Sequence, residues 1–418
     1  MIATAPIETW TIAAGAILGV LIRPWNLPEA LWAVLGAAAM LACSLISTHE
    51  AIAAVGAGLD VYLFLTGMML LAELARREGL FAFTAALATR AARGSAARLF
   101  TLIYAVGILV TVFLSNDATA VVLTPAVYAA TRDAGAPPLP YLFVCAFIAN
   151  AASFVLPISN PANLVVYGST LPPLAVWLPR FALASAAAIA ATWAALRLAQ
   201  RRTLRAPLTT APPLPRLGAG GRVAAAAIAA TAVLLALCSA LSRPLGLPTC
   251  AAGALAWIAI LLVRRSPPWD ALRSVSWSVL PLVGALFVLV RAIEASGALQ
   301  PLAQWINRGA RADSAGFASL CAVLTAYAAN ALNNLPLGLI VARLLHHAHA
   351  SPRFEGALLI GVDLGPNLSV TGSLATLLWL LALRREGVQI GGWRFLRLGL
   401  WVMPLTLAAA LGGYLLAN

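Results

Sequence analysis

Residues Phe113–Pro125 read FLSNDATAVVLTP. They place Ser115, Asn116, Asp117 and Thr119 in the middle of an otherwise apolar stretch from Leu99 to Ala130. An ionisable group at the centre of a membrane helix costs at least ~2.5–3.5 kcal/mol, and more without a partner. A chain keeps one there where it lines a cavity or meets an ion or a solute. A related stretch, Asn330-Ala331-Leu332-Asn333-Asn334-Leu335-Pro336, returns late in the chain. Two polar breaks, one in each half of an apolar chain, are the sequence mark of a secondary transporter built from repeats.

The composition agrees with a lipid solvent. Of 418 residues 62% are hydrophobic and only 10% charged, with a mean hydropathy of +0.91, against about 25% charged residues in soluble domains. Runs such as Ile12–Ile22, Ala224–Leu241 and Leu400–Leu416, with their flanks, are long enough for a hydrocarbon core of ~30 Å. The class expected is an all-α polytopic membrane protein. All 27 basic residues are arginines; they are dispersed and gather at the ends of apolar runs, a pattern that sets topology rather than one that binds nucleic acid. No basic residue precedes Arg23, so no signal peptide is expected. The five cysteines (Cys43, Cys145, Cys238, Cys250, Cys321) are scattered, and no pair has metal-ligand spacing, so neither a metal site nor a disulfide framework is expected. No nucleotide-binding loop and no Ser/His/Asp set stand out. The chain is read as a transporter without a cofactor, not as an enzyme.

Moving outward from Phe113–Pro125, spans are expected near Thr9–Arg23, Glu29–Ile46 and Asp60–Ala75, with a loop over Ser47–Gly58. Leu80–Arg93 mixes apolar and arginine positions and suggests a helix lying at the interface. The stretch Leu99–Ala130 would cross twice only with arms of about fifteen residues, short for a full span. It is read as a re-entrant hairpin with Ser115-Asn116-Asp117 at its tip, since irregular backbone at depth is tolerated inside protein or beside a cavity. Pro138–Thr170 is one span interrupted by Pro157-Ile158-Ser159-Asn160-Pro161-Ala162-Asn163, where two prolines remove donors and clash with the preceding turn. Pro172–Ala199 spans again.

Residues Gln200–Arg222 hold five arginines and no acid and read as a cytoplasmic linker. The plan then repeats: spans near Val223–Leu241, Leu245–Val263 and Trp277–Glu294, an interfacial stretch Leu299–Arg311, a hairpin Ala315–Leu345 around Asn333-Asn334, a span Phe354–Leu383 broken near Gly365-Pro366-Asn367 and Thr371-Gly372-Ser373, and a last span Phe395–Leu416. Gly67 faces Gly284 at an offset of 217 residues and Asn116 faces Asn334 at 218. Asn150 faces Asp363 at 213, and in that register Asn160, Asn163 and Leu164 fall opposite Ser373, Thr376 and Leu377. A near-constant offset of half the chain indicates a duplication, with an N-terminal transmembrane repeat over 1–199, the linker over 200–222 and a C-terminal repeat over 223–418. Placing the linker in the cytoplasm puts 20 of the 27 arginines on that side. The result is about ten transmembrane helices plus two re-entrant hairpins, with the repeats inverted, as alternating access requires.

Four polar breaks would then converge. Ser115, Asn116, Asn150, Ser159, Asn160, Asn163, Asn333, Asn334 and Ser373 offer donors and acceptors to a small polar solute, and freed helix ends add backbone groups. The plain alternative is that such residues only bond neighbouring helices, at about 0.6 kcal/mol each. Asp117 and Asp363 are the acids at depth; each can take up and release a proton, or can serve as a structural hydrogen-bond acceptor. Glu73 and Asp60 are read as interfacial, Arg291 and Glu294 as a local ion pair, and His346, His347 and His349 as a wet helix end.

At these residues the chain resembles the arsenite/antimonite efflux permeases (arsenical pump membrane proteins) of the ion transporter superfamily. The resembling segments are Leu63–Phe81, Phe113–Pro125, Ala149–Gly168, Ala331–Pro336 and Val362–Leu380, whose VDLGPNLSVTGSLATLLWL is the most specific. Ser115 stands where family members often carry Asn, and Ser369-Val370-Thr371 is also a variant. The resemblance implies a multi-pass protein of the inner membrane that exports arsenite or antimonite as neutral trihydroxides in exchange for protons. It also implies, as an option, energising by a separate soluble arsenite-stimulated ATPase. Asp117 and Asp363 fit the proton role, and the asparagines fit recognition of a polyol-like solute. Cys145 or Cys321 could bind arsenic singly, not as a three-sulfur site. A sodium-coupled carboxylate or sodium/proton transporter of the same superfamily is the competing reading, and the membrane anchor of an ATP-driven complex is a third.

Overall fold

The computed structural model describes residues 5–209, 214–264, 269–310, 315–348 and 350–418; Arg265, Arg311 and His349 lie outside the described residues. The first half runs α1 (Ala5–Ile22), α2 (Glu29–Ala42), α3 (Thr48–Ala57), α4 (Leu59–Arg77), α5 (Leu80–Ala91), α6 (Ala96–Phe113), α7 (Asn116–Ala118), α8 (Thr124–Asp133), α9 (Leu139–Ala151), α10 (Pro161–Tyr167) and α11 (Leu174–Ala199). The second runs α12 (Ala219–Ala240), α13 (Gly246–Arg264), α14 (Trp269–Ser274), α15 (Val279–Ala295), α16 (Gln300–Ala310), α17 (Ala315–Leu332), α18 (Asn334–Ala348), α19 (Pro352–Leu364), α20 (Leu374–Arg385) and α21 (Gly392–Ala417). Among the described residues six helices are each long and apolar enough to cross a membrane, or eight if the bent pairs α3/α4 (47°) and α15/α16 (81°) count as single spans. The protein is polytopic and all-α.

Two local expectations need correction. Ser47–Gly58 is not a loop. Ser47 Oγ accepts the Glu50 N–H while the Glu50 carboxylate accepts the Ser47 N–H at 3.2 Å, a capping box that starts α3. The first hairpin arm is also longer than expected: α6 has 18 residues, about 27 Å at 1.5 Å per residue, nearly the thickness of a bilayer core.

Both expected breaks are present. α9 ends at Ala151 and α10 starts at Pro161, with a 3-10 turn over Pro157–Ser159 between them; α19 ends at Leu364 and α20 starts at Leu374, after a 3-10 turn over Gly365–Asn367. Each half-helix start carries its own cap, the Asn160 Oδ1 accepting the Ala162 N–H and the Ser373 Oγ accepting the Thr376 N–H. These two caps are the pair that the 213-residue offset aligns.

The packing of the first half resembles that of the second. α4 lies on α13 as α15 lies on α2; α6 lies on α9 as α17 lies on α19; α10 meets α18 as α20 meets the α7–α8 arm; α11 lies along α21. Exchanging the two halves maps each pair onto the next. The α4/α13 crossing is close because a Cβ at Gly67 would run into the Thr249 carbonyl, and one at Gly253 would sit 2.7 Å from the Gly67 carbonyl oxygen, the small-residue contact that lets membrane helices approach. Asp60 closes the same crossing by accepting the Gly246 N–H at 2.8 Å.

Candidate functional site

The two broken helices cross at the centre of the chain, and the polar side chains that meet there come from both halves. Asn160 Nδ2 donates to Asp363 Oδ1 at 2.8 Å and to Ser153 Oγ at 3.3 Å. Asn150 Nδ2 donates to Asn367 Oδ1 at 3.0 Å, and Asn367 Nδ2 donates to the Phe147 carbonyl at 3.2 Å. Asn150 and Asp363 each stand one residue before the end of their helix, at Ala151 and Leu364. All of these side chains are buried, Asn150 and Asp363 to 0% exposure. Phe143, Phe147, Trp379 and Phe395 pack against one another beside them, with the Phe147 and Phe395 rings stacked at 4.9 Å, so apolar rings close one flank of the crossing.

Donors and acceptors do not balance there. Asn150 Oδ1, Asn163 Oδ1 and Asp363 Oδ2 are buried and have no hydrogen-bond partner. The Asn163 amide is spent on the backbone that the break frees, donating to the carbonyls of Ser153, Leu156 and Pro157 at 2.8–3.3 Å. Among the described residues no arginine or histidine is buried, so no side-chain cation faces Asp363. Buried acceptors left unmet cost about 1–3 kcal/mol each. The crossing therefore holds more acceptors than donors among the described residues.

The hairpin tips reach this crossing in different ways. At the second tip, Asn333 sits in the left-handed region (φ 70°), where asparagine is tolerated. Its amide donates to the Thr371 carbonyl at 3.3 Å, and the Asn334 N–H donates to the Gly372 carbonyl at 2.9 Å. Asn330 adds four side-chain bonds: its Nδ2 donates to the Ala326 and Gly365 carbonyls, and its Oδ1 accepts from the Ser369 N–H and hydroxyl. The second tip is thus fastened onto the second break.

At the first tip Ser115 is an extended cap whose hydroxyl accepts the Ala118 N–H at 3.1 Å, and Asn116 Oδ1 accepts the Asp117 N–H at 2.9 Å. Ser159 reaches over from the first break, donating to the Val112 carbonyl at 3.3 Å while accepting the Leu156 N–H. The chain then passes through a wide π-type turn, Thr119–Leu123, ahead of Pro125, which has no N–H to return to the preceding turn. Asp117 is only partly buried, and among the described residues its carboxylate has no hydrogen-bond partner. The Asn334 side-chain amide is likewise without one. Asp117 therefore stands at the tip of the first hairpin, apart from the bonded cluster around Asp363.

Of the residues singled out in the sequence, Asn150, Asn160, Asn163 and Asp363 share the crossing. Ser159 and Ser373 cap or tie the breaks, and Asn333 fastens the second tip. Ser115, Asn116 and Asp117 form the first tip, whose arm packs on α20. Sequence reasoning missed Asn367 and Asn330 as site residues. Asn367 has Phe154 opposite it in the 213-residue register, so the duplication gave it no signal; Asn330 stood one helical turn before Asn333-Asn334 and was legible by spacing. Away from the crossing, Glu73 is 7% exposed and held by Arg76, Arg77 and Ser274 at 2.6–2.8 Å. Arg291 pairs with Glu294 at 2.9 Å, joined there by His347 at 3.1 Å.

The chain as a whole is similar to several known proteins. A family model described as citrate transporter, CitMHS, matches residues 16–382. The arsenical pump membrane protein of Yersinia enterocolitica is 28% identical over 370 residues, 82% of this chain and 83% of that one. Its counterpart from Escherichia coli is 27% identical over 378 residues, with the same coverage. An uncharacterized transporter of Mycobacterium tuberculosis is 25% identical across 94% of each chain. In fold, the chain is similar to the YdaH transporter of Alcanivorax borkumensis (TM-score 0.56, 16% identity, 88% of this chain and 86% of that one). It is also similar to MtrF of Neisseria gonorrhoeae (TM-score 0.53, 15% identity, 88% and 82%).

Proposed function

We propose that this chain, a membrane transporter that belongs to the citrate transporter family CitMHS, exports arsenite or antimonite as neutral trihydroxides in exchange for protons. Its relatives named as arsenical pump membrane proteins, similar over four-fifths of the chain, suggest the substrate. The observation that carries the reading is the acceptor surplus at the crossing: three buried oxygens without donors, on Asn150, Asn163 and Asp363, and, among the described residues, no buried side-chain cation. A neutral trihydroxide presents three O–H donors and no charge to neutralise. A proton on Asp363 removes the one formal charge in the cluster, so proton and substrate answer the same deficit. Asp117, at the tip of the first hairpin and without a hydrogen-bond partner for its carboxylate among the described residues, is the second proton carrier in this scheme. Asn116, Asn160 and Asn334 supply further hydrogen bonds, with Asn160 already in contact with Asp363. The duplicated halves, 1–199 and 223–418 joined by the arginine-rich segment 200–222, supply the two sides that alternate, and the inner membrane is the location this reading gives the protein. A soluble ATPase is an optional partner in this scheme, since a pH gradient alone suffices.

The competing reading, sodium-coupled carboxylate transport, draws on the family description and on the α20 N-terminus beside the second break, since helix N-termini favour anions. It lacks the arginine or lysine that normally pairs with a buried carboxylate. Purified protein in sealed vesicles separates the two. With arsenite, antimonite, citrate and succinate tested side by side, a pH gradient alone should drive arsenite and antimonite. Citrate or succinate uptake driven by a sodium gradient, with arsenite left unmoved, would overturn the proposal.

A further inference from the structure

The arginine-rich segment after α11 is built into the fold rather than trailing from it. Leu204 is buried, the 3-10 turn Thr203–Arg205 packs on α6, and the chain beyond it is bonded across two helix junctions. Pro207 bridges to Ser95, the Leu208 N–H donates to the Gly94 carbonyl at 2.9 Å, and the Thr209 N–H donates to the Ala134 carbonyl at 3.1 Å. These bonds hold Arg205 beside Arg93 and Arg98, at the α5–α6 junction, and beside Arg132, at the end of α8. Arg201 and Arg202 precede the same turn. All six guanidinium groups are exposed, and none of them is in an ion pair among the described residues. The neighbouring acid on this face is Asp133.

The same helices present bare apolar side chains: Leu87 on α5, Leu109 on α6, about three turns beyond Arg98, and Leu198 on α11 are 46%, 57% and 61% exposed. Arg197 marks the boundary. Its guanidinium donates to the Ala97 carbonyl at 3.2 Å and lies over the Trp193 ring at 5.2 Å, as aromatic and arginine pairs do at a membrane surface. We infer that this strap and its six arginines form a docking site for the phosphate headgroups of anionic lipids. The acyl chains would lie along the exposed leucines of α5, α6 and α11. Topology alone needs arginines on one side of the membrane; it does not need a strap bonded across two junctions that brings them together unpaired. An acidic soluble protein would meet the charges but would leave the adjoining apolar strip without a cover.

The test is the melting temperature of the purified full chain in neutral detergent, with phosphatidylglycerol, phosphatidylcholine, inorganic phosphate or polyglutamate added. Phosphatidylglycerol should raise it by several degrees, the rise should shrink as salt is added, and the other three additives should do little. The triple variant Arg93→Gln/Arg98→Gln/Arg205→Gln should lose the rise, whereas Arg384→Gln/Arg385→Gln, two exposed arginines elsewhere, should keep it. Native mass spectrometry of the unaltered chain in a mixture of the two lipids needs no variant, and it should show phosphatidylglycerol retained in preference. Equal effects of the two lipids, loss of the rise in the control variant, or stabilisation by polyglutamate or free phosphate instead would each overturn the inference.

Discussion

The two hairpin tips share one plan and differ in how they are held. Asn333 and Asn334 stand on a tip bonded to the second break through the Thr371 and Gly372 carbonyls, with Asn330 adding four side-chain bonds behind them. Ser115, Asn116 and Asp117 stand on a tip whose side chains bond mainly to their own turn; among the described residues one hydrogen bond, Ser159 to the Val112 carbonyl, ties its arm to the first break. The titratable tip residue belongs to the loosely held copy. Of two tips placed alike in the sequence, one is fastened to its break and the other carries an acid. Alternating exposure of one solute site calls for one part that stays and one that moves, and this difference suggests which is which.

Substitutions at the crossing and at the two tips should differ in size. The largest effect is expected at the crossing itself: arsenite flux in vesicles should fall to background in Asp363→Asn, since an amide cannot take up and release the proton that the exchange requires. Insertion and melting should change little. Next comes Asn330→Ala, which strips four bonds from the fastened tip and should lower stability by about 2–6 kcal/mol at ~0.5–1.5 kcal/mol per bond, read as a drop in melting temperature. Ser115→Ala on the loose tip removes one cap and should cost only ~1 kcal/mol; equal losses at Asn330 and Ser115 would remove the distinction between the tips. The smallest effect on folding is expected for Asp117→Asn, which has no bonded partner to lose. Its transport should nevertheless fall, so normal flux in that variant would take Asp117 out of the proton path.

Much of this was legible in the chain because membrane burial leaves few reasons for a polar side chain. The Ser115-Asn116-Asp117 and Asn333-Asn334 tips, the proline-marked break at Pro157–Asn163 and the paired caps Asn160 and Ser373 all stood out against apolar surroundings. The offset of 213 to 218 residues aligned them before any contact was known. What stayed hidden was mostly tertiary. Asn160 finds Asp363 across 203 residues and Asn150 finds Asn367 across 217, and no local pattern encodes such a pairing. Asp60 reads as an interfacial acid until the Gly246 N–H is placed against it. α3 was missed for a different reason: its start rests on Ser47 and Glu50, a capping signal in a segment of ten residues, too short to read as a span.

The central claim is that protons and a neutral trihydroxide are exchanged at the Asn150–Asn160–Asp363 crossing. Its most direct test is proton movement itself, followed with a pH-sensitive dye trapped in vesicles that contain the purified chain and no sodium gradient or ATP. Adding arsenite to one side should drive protons the opposite way, and Asp363→Asn should abolish the signal. Arsenite crossing with no accompanying proton flux, or an undiminished signal in Asp363→Asn, would contradict the account.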